Sequence, residues 1–460
     1  MLYMTKSVQL REKEALRKFL INRRSELGPS IDFQSNILNN IKPLIEEIEN
    51  EYIGTYISFR DELDTKKLNQ YLLERELNLA LPAIDFQTKE INFFMYHKNT
   101  ELIENKFSIL EPKNKDKVIF PKIILIPLLG YSKSGFRLGY GGGYYDKYLS
   151  KNGIGEVKKI GIAFSFQEVE EIPVEDHDER LDWILTEKHL YKVLMRILFL
   201  GDVMGRSGRH ALRDHLPDAI KNNNIDFVIA NGENSAGGFG ITEPICNELY
   251  SYGVNVITTG NHLWDQKEIN SYIDKDDKLL KPYNFAEGSP GLGVNTYMHQ
   301  NGQKIAVINL MGNLFMRSCD NAFFKIEEVL KNLKTEDLSF IFVDFHAEAT
   351  SEKMAMGHHL DGRVTAVVGT HTHVPTADAT IMEHGTAFQT DAGMCGDYDS
   401  VIGTKKEEFV RKFATQDTER KRVPPADGEG TLCGVIIESN TENYLAKSIS
   451  SIRIGGKIGN

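Results

Sequence analysis

Seven side chains able to ligate a metal, Asp202, Glu233, Asn234, Asn261, His346, His371 and His373, each stand one to five residues past a short apolar run that reads as a β-strand. In an α/β sheet the carboxyl ends of parallel strands open onto one crevice, so residues far apart in the chain can meet at one point. Carboxylate and amide oxygens mixed with imidazole nitrogens suit manganese, iron or zinc better than calcium or a thiolate-bound metal. Seven donors exceed the needs of one tetrahedral ion. The pattern therefore predicts two neighbouring ions that clamp a phosphoryl group and activate a water between them. Each motif has a plainer reading when taken alone. Gly201-Asp202 could cap a helix, Gly260-Asn261-His262 could be a turn, and His346 could be a hydrogen-bonded core histidine. It is their recurrence at five strand ends, closed by Gly369-Thr-His371-Thr-His373, that argues for a site.

A chain of 460 residues exceeds what one core usually fills, so two domains are expected. No Pro/Gly/Ser-rich linker, repeat or low-complexity segment marks the boundary. The stretch from Lys188 to Asp202 ends one strand-like run and starts another, with Met195 where a free-standing α/β domain would begin. This predicts domains 1–193 and 194–460. Residues 1–194 carry 28 basic and 30 acidic side chains and residues 195–460 carry 26 and 35, net −2 and −9. The acidic second half argues against an extended nucleic-acid surface, which needs a basic footprint, but not against a small nucleotide. No apolar run reaches membrane-span length and the first 25 residues do not read as a signal peptide, so a cytoplasmic location with no membrane partner is expected. The four cysteines are widely spaced and are expected to be reduced.

Helices are predicted over 7–25 and 31–50, then strands at 52–59, 79–84, 91–96, 122–128 and 159–164, the fourth apolar enough for a buried central strand. The second half predicts strands near 196–201, 226–230, 254–258, 305–310, 339–343 and 364–368, with helices at 242–252 and 321–334. Both halves are α/β.

Residues 137–149 read Arg-Leu-Gly-Tyr-Gly-Gly-Gly-Tyr-Tyr-Asp-Lys-Tyr-Leu. Glycines at 139, 141, 142 and 143 let backbone approach an anion, and a helix starting near Tyr144 would aim its amides at it. Arg137 can fork onto phosphate and Asp146 can hold Mg²⁺ beside it. The segment resembles the signature of 5-formyltetrahydrofolate cyclo-ligases. Lys13-Glu-Ala-Leu-Arg17, Ser58-Phe-Arg-Asp-Glu62 and the stretch His177 to Glu187 agree in order and spacing, over nearly all of 1–190. The resemblance implies an open α/β sheet. It also implies ATP phosphates on Lys13 and Arg17, the nucleotide and its Mg²⁺ on Gly139 to Asp146 including Tyr144 and Tyr145, a further metal contact at Asp178, and 5-formyltetrahydrofolate on Glu62. Tyr131-Ser132 replaces the usual Phe-Asp before the loop, and Lys122 stands where an acid is common.

The order Asp202, Glu233, Gly260-Asn261-His262, His346, Gly369-x-His371-x-His373 resembles the calcineurin-like metallophosphoesterases. IANGENSAGGFGIT (229–242), ITTGNHLWDQKEI (257–269), FVDFHAEATSEK (342–353), VVGTHTHVPTAD (367–378) and TDAGMCG (390–396) resemble, more narrowly, the YmdB-type 2′,3′-cyclic-nucleotide phosphodiesterases. Asp202-Val-Met204 replaces the broad superfamily's Asp-x-His, a departure that the narrower family shares. By that resemblance Asp202, Asn234 and His373 bind one ion, Asn261, His346 and His371 the other, and Glu233 bridges them. The ions are iron or manganese, the substrate is a cyclic nucleotide or other phosphodiester, and His262 is the general acid. A phosphomonoesterase, or an RNA-linked regulatory module of low turnover, remain alternatives for this half.

Overall fold

The computed structural model describes all residues except 1–5, 28–32, 46–50, 61, 151–156, 176–177, 300–302, 334–337, 416–421, 441–442 and 459–460. Two compact units are present, Met1–Leu194 and Met195–Asn460.

In the first unit five parallel strands form the middle of an eight-stranded sheet, in the order Trp183–Leu185, Lys158–Ile162, Ile123–Pro127, Tyr52–Gly54 and Asn78–Asp85. Antiparallel strands flank them, Leu190–Lys192 on one side, Glu90–Tyr96 and Val118–Ile119 on the other. The central strand Ile123–Pro127 is apolar throughout because both its faces are covered: Ile123 and Leu125 join one cluster, Ile124 and Ile126 the opposite one. The helix expected over 31–50 is broken. Phe33–Asn40 and Lys42–Ile45 are separate helices, with Pro43 starting the second, while 31–32 and 46–50 lie outside the described residues. The strand expected over 52–59 is confined to Tyr52–Gly54, followed by one bond from Thr55 N–H to Ala80 O at 2.9 Å. Asp61 and His177, within the quoted motifs, also lie outside the described residues.

The second unit is a sandwich of two mixed sheets. One runs Val256–Thr258, Phe227–Asn231, Arg196–Leu200, Leu432–Ser439, Ala446–Ile454. The other runs Val294–Met298, Lys304–Met311, Phe340–His346, Ala366–Thr370, Ala387–Gln389, Thr380–Ile381. Alternation along each strand explains the layers. Ile197 and Phe199 face the inter-sheet core, where Phe199 and Phe342 meet at 4.7 Å between ring centroids, while Leu198 and Leu200 face outward. The outer faces are packed by apolar residues of the helices Gly205–Asn223 and Glu243–Ser251 on one sheet, Ala322–Leu333 and Thr350–Leu360 on the other. Among the described residues no helix is long and apolar enough to cross a membrane. All four cysteines are free, three of them buried.

Phe342 is fully buried at the centre of this sandwich. Phe342→Ala is expected to cost about 3–5 kcal/mol, the range for emptying an aromatic core position. In urea unfolding it should move the transition of residues 195–460 alone. A shift of both transitions would show that the units do not unfold separately.

Candidate functional site

Strand alternation places a polar layer at the carboxyl ends of the second unit's inner faces. Phe340 and Phe342 face the inter-sheet core, and two further steps of period two bring Asp344 and His346 to the same side. Phe227 and Ile229 lead likewise to Asn231, Val256 to Thr258, and Ala366 and Val368 to Thr370. These ends converge on Asp344. Its Oδ2 accepts from Thr258 Oγ1 at 2.5 Å and Asn231 Nδ2 at 2.9 Å, and its Oδ1 from Thr370 Oγ1 at 2.7 Å. Burial raises its carboxyl to about 6 even so.

On this layer the expected donors come together in two groups that meet at Glu233. His346 Nε2 lies 3.0 Å from Glu233 Oε1, 3.1 Å from Asn261 Oδ1 and 3.1 Å from His371 Nδ1. Asn234 Nδ2 is 3.1 Å from Glu233 Oε1 and 3.1 Å from His373 Nε2, and His373 Nε2 is 3.9 Å from Asp202 Oδ1. Asp202 Oδ1 is also 3.8 Å from His346 Nδ1, and its Oδ2 accepts the backbone N–H of His371 at 3.0 Å.

The remaining ring nitrogens fix each histidine's tautomer. His346 Nδ1 meets the Thr370 hydroxyl at 2.9 Å; since that hydroxyl donates to Asp344, the imidazole Nδ1–H must donate to it, directing Nε2 into the cluster. His373 Nδ1 donates to Ile402 O at 2.8 Å and His371 Nε2 to Glu348 at 3.2 Å, again freeing the other nitrogen for the cluster. Burial and the neighbouring His346 push His371 down to about 3, so its lone pair stays open. Burial alone would lower His346, but Glu233 and Asp202 raise it to about 9; Glu233 is pulled below the usual carboxylate range by His346 against the opposing effect of burial. Asp202 is held up by burial, and its Oδ1 has no hydrogen-bond partner. A fully buried, unpartnered carboxylate oxygen among inward imidazole nitrogens is what a divalent cation satisfies. The donor set fits metal ions.

Three features hold the ligands that the opening motifs did not single out. Asp344 is the first, legible as the polar residue two positions before His346. The second is the buried pair Lys353–Asp391 at 2.7 Å, whose Asp391 Oδ2 also accepts from Thr372 Oγ1 at 2.7 Å. It pins a strap in which His371 and His373 hold left-handed φ of 97° and 67°. The third is Asp265, three residues after His262, whose Oδ2 lies 2.9 Å from His262 Nδ1. His262 itself stands apart from the imidazole cluster; its backbone N–H donates to Glu233 Oε2 at 3.0 Å.

In the first unit Lys13 is buried between Glu175 at 2.8 Å and Asp178 at 2.6 Å. Arg17, one turn along the same helix, donates from Nε to Gly139 O at 3.0 Å. Arg137 donates to Asp146 at 2.6 Å and to Glu179 O at 2.5 Å, and Glu179 N donates to Asp146 Oδ1 at 3.1 Å. The glycine loop, the first helix and residues 175–179 are thus one cluster. Gly143, with φ 63°, turns the chain into Tyr144–Leu149. Gly141 lies against the Arg17 guanidinium, and Gly142 against the Tyr144 ring. Glu62 takes the N–H of Phe59 at 2.9 Å; burial raises its carboxyl, and its charge in turn helps raise Tyr145 and Tyr56. Arg24, which bonds the Tyr140 hydroxyl, faces the same group and was not among the expected residues. Tyr131, one of the departures, is buried with its ring 6.3 Å from Tyr191.

Fold and site define an enzyme with a cyclo-ligase-type α/β unit followed by a calcineurin-like phosphoesterase unit. Residues 198–452 match the YmdB-like protein family and residues 9–187 the 5-formyltetrahydrofolate cyclo-ligase family, and the chain belongs to both. A 2′,3′-cyclic-nucleotide 2′-phosphodiesterase of Bacillus subtilis is 46% identical over 260 residues, 56% of this chain and 97% of that one. A 5-formyltetrahydrofolate cyclo-ligase of Haemophilus influenzae is 34% identical over 158 residues, 33% of this chain and 84% of that one. The crystal structure of a phosphatase from Mycoplasma pneumoniae superposes with a TM-score of 0.54 at 34% identity, covering 57% of this chain and 94% of that one.

Gly260 leaves no room for a side chain, since a Cβ there would stand 2.3 Å from His346 Nε2 and 2.5 Å from Glu233 Oε2. Gly260→Ala should therefore displace both and cut bound metal severalfold by elemental analysis, with far-ultraviolet circular dichroism unchanged. Full metal occupancy in that variant would refute the close packing of the site.

Proposed function

We propose that the chain is bifunctional. Residues 1–193 convert 5-formyltetrahydrofolate to 5,10-methenyltetrahydrofolate at the expense of ATP, and residues 194–460 hydrolyse 2′,3′-cyclic nucleotides at a pair of iron or manganese ions. The observation that carries the second activity is the meeting of two donor groups at Glu233, within 3.1 Å of both Asn234 and His346. Asp202, Asn234 and His373 would hold one ion, Asn261, His346 and His371 the other, with Glu233 between them. Such a pair supplies Lewis-acid clamping of the phosphoryl group and an activated water. His262 supplies the proton for the departing ribose oxygen: Asp265 holds Nδ1–H, which leaves Nε2 for the substrate. The relatives' activities and small substrates support this reading, and the cytoplasm is where we propose the chain meets them.

In the first unit, the Lys13–Asp178 and Arg137–Asp146 pairs flank the glycine loop. Lys13, Arg17, Arg137 and the loop amides would take the ATP phosphates, and Asp146 and Asp178 would hold the accompanying Mg²⁺. Glu62 would orient the folate. A formamide oxygen is a poor leaving group until ATP phosphorylates it; N10 then attacks the activated formyl carbon and inorganic phosphate departs. Positioning and charge neutralisation carry most of such a transfer.

Asp146→Asn should nearly abolish formation of the methenyl product, followed by its near-ultraviolet absorbance, while hydrolysis of 2′,3′-cyclic AMP persists. Unchanged cyclo-ligase rates would remove Asp146 from the site. In the second unit, His262→Ala should keep its metal while kcat falls by roughly 10²–10⁴, the usual contribution of a positioned general acid. The loss should shrink for p-nitrophenyl esters, whose leaving group hardly needs a proton. His371→Ala should lose metal and activity together. Equal metal loss in both variants, or a His262→Ala defect independent of leaving group, would overturn the assignment.

A further inference from the structure

Beside His262 two guanidinium groups from distant segments converge on one carboxylate. Arg317 NH2 lies 3.2 Å from Asp265 Oδ1 and Arg422 NH2 lies 2.7 Å from Asp265 Oδ2. Asp265 is only 8% exposed, whereas the Arg317 and Arg422 side chains are 55% and 57% exposed. The Arg422 guanidinium also stacks over Phe239 at 4.3 Å, and the Phe239 ring meets the His262 ring edge-on at 5.0 Å. Phe239 is held from behind, its carbonyl accepting from Gln266 Nε2 at 2.8 Å.

One carboxylate neutralises only one of the two cations. Among the described residues each guanidinium spends a single NH2 contact on it, and a guanidinium offers five N–H donors, so most of both forks remain open at the surface. This happens in a half of the chain that is net −9, where a cation pair with a single counter-charge next to the reaction centre stands out against the general charge. A ring-stacked arginine beside a second arginine is suited to planar, bidentate recognition of phosphate.

We propose that Arg317 and Arg422 form a subsite for a second phosphate of the substrate, distinct from the one cleaved at the Glu233 cluster. This rests on the phosphodiesterase reading above. The favoured substrate is then a ribonucleotide whose 2′,3′-cyclic phosphate is accompanied by another phosphate on the 5′-oxygen of the same nucleoside, either as a terminal monoester or as the internucleotide link. The bare cyclic mononucleotide lacks that contact.

The test compares kcat/KM of the purified full-length, metal-loaded protein for adenosine 2′,3′-cyclic phosphate, for its 5′-phosphorylated form, and for a diadenosine dinucleotide ending in the cyclic phosphate. At least a tenfold preference is expected for one or both of the larger substrates, weakening as salt rises. Preference for the 5′-phosphorylated mononucleotide alone identifies a terminal phosphate; preference for the dinucleotide alone identifies an internucleotide link. Arg317→Gln and Arg422→Gln should each bring that ratio close to one, and Arg422→Lys should retain part of it. Equal treatment of all three substrates by the native protein, or a ratio unchanged in both glutamine variants, would overturn the subsite. Failure of the phosphodiesterase reading would look different, as no turnover of any phosphodiester. In that case calorimetric affinity for adenosine 5′-phosphate relative to adenosine, in the native protein and the glutamine variants, reads the same subsite. An unchanged affinity ratio across them would reject it.

Discussion

Asp344 ties the fold of the second unit to its chemistry. The carboxylate has no solvent exposure and takes three hydrogen bonds, from Asn231 and Thr258 of one sheet and Thr370 of its own. It therefore cross-links the two sheets at the level where the apolar interior ends. A buried acceptor is costly when left unpaired, roughly 1–3 kcal/mol per lost partner and more for a charged group. The four strand ends are thus committed to one mutual arrangement before any ligand is considered. That arrangement passes through Thr370 to His346, whose Nε2 it turns toward Glu233. The same residues that close the sandwich set the orientation of a candidate ligand, so errors in strand register would register directly as a misaimed imidazole.

Much of this was legible because period-two patterning and strand-end position are local properties. The strands bearing Asp202, Glu233, Asn261, His346 and His371 could be read from their apolar runs, and their convergence follows from parallel pairing. What patterning could not provide was which residues sit behind the ligands. Asp344 reads as an interruption of FVDFH, Lys353 as an ordinary helix lysine and Asp265 as a turn acid. Each acquires its role only from partners between 3 and 113 residues away. The helix expected over 31–50 failed for a local reason, Pro43 in the first turn of a second helix, and the strand expected past Gly54 ends after a single further bond, from Thr55 N–H to Ala80 O at 2.9 Å.

The first unit solves a different problem. Its candidate nucleotide site gathers Lys13, Arg17 and Arg137, and concentrated positive charge must be countered if the fold is to hold together. The counter-charges are Asp146, Glu175 and Asp178, two of which the family resemblance gives to Mg²⁺. The cations proposed for phosphate and the anions proposed for metal thus hold one another, both pairs at 2.6 Å. Binding a metal–nucleotide complex exchanges these pairs for equivalent ones, so little charge is newly buried without a partner. The helix carrying Lys13 and Arg17 is for this reason partly interior, with Lys13 only 3% exposed.

Charge also bears on what the second unit can take. At net −9 its far field repels a phosphodiester, and at physiological salt that field fades beyond about 8 Å. A long nucleic acid would have to lie across the repelling surface, whereas a small nucleotide need only reach the local positive features. Those features are the cations proposed at Glu233 and the half-exposed guanidiniums on Asp265, and both lie next to His262, whose backbone N–H is bonded to Glu233 and whose ring is bonded to Asp265. On the proposed reading, attraction confined to so short a span would favour substrates of one or two nucleotides and would make affinity depend on where a second phosphate sits rather than on how many phosphates the molecule carries.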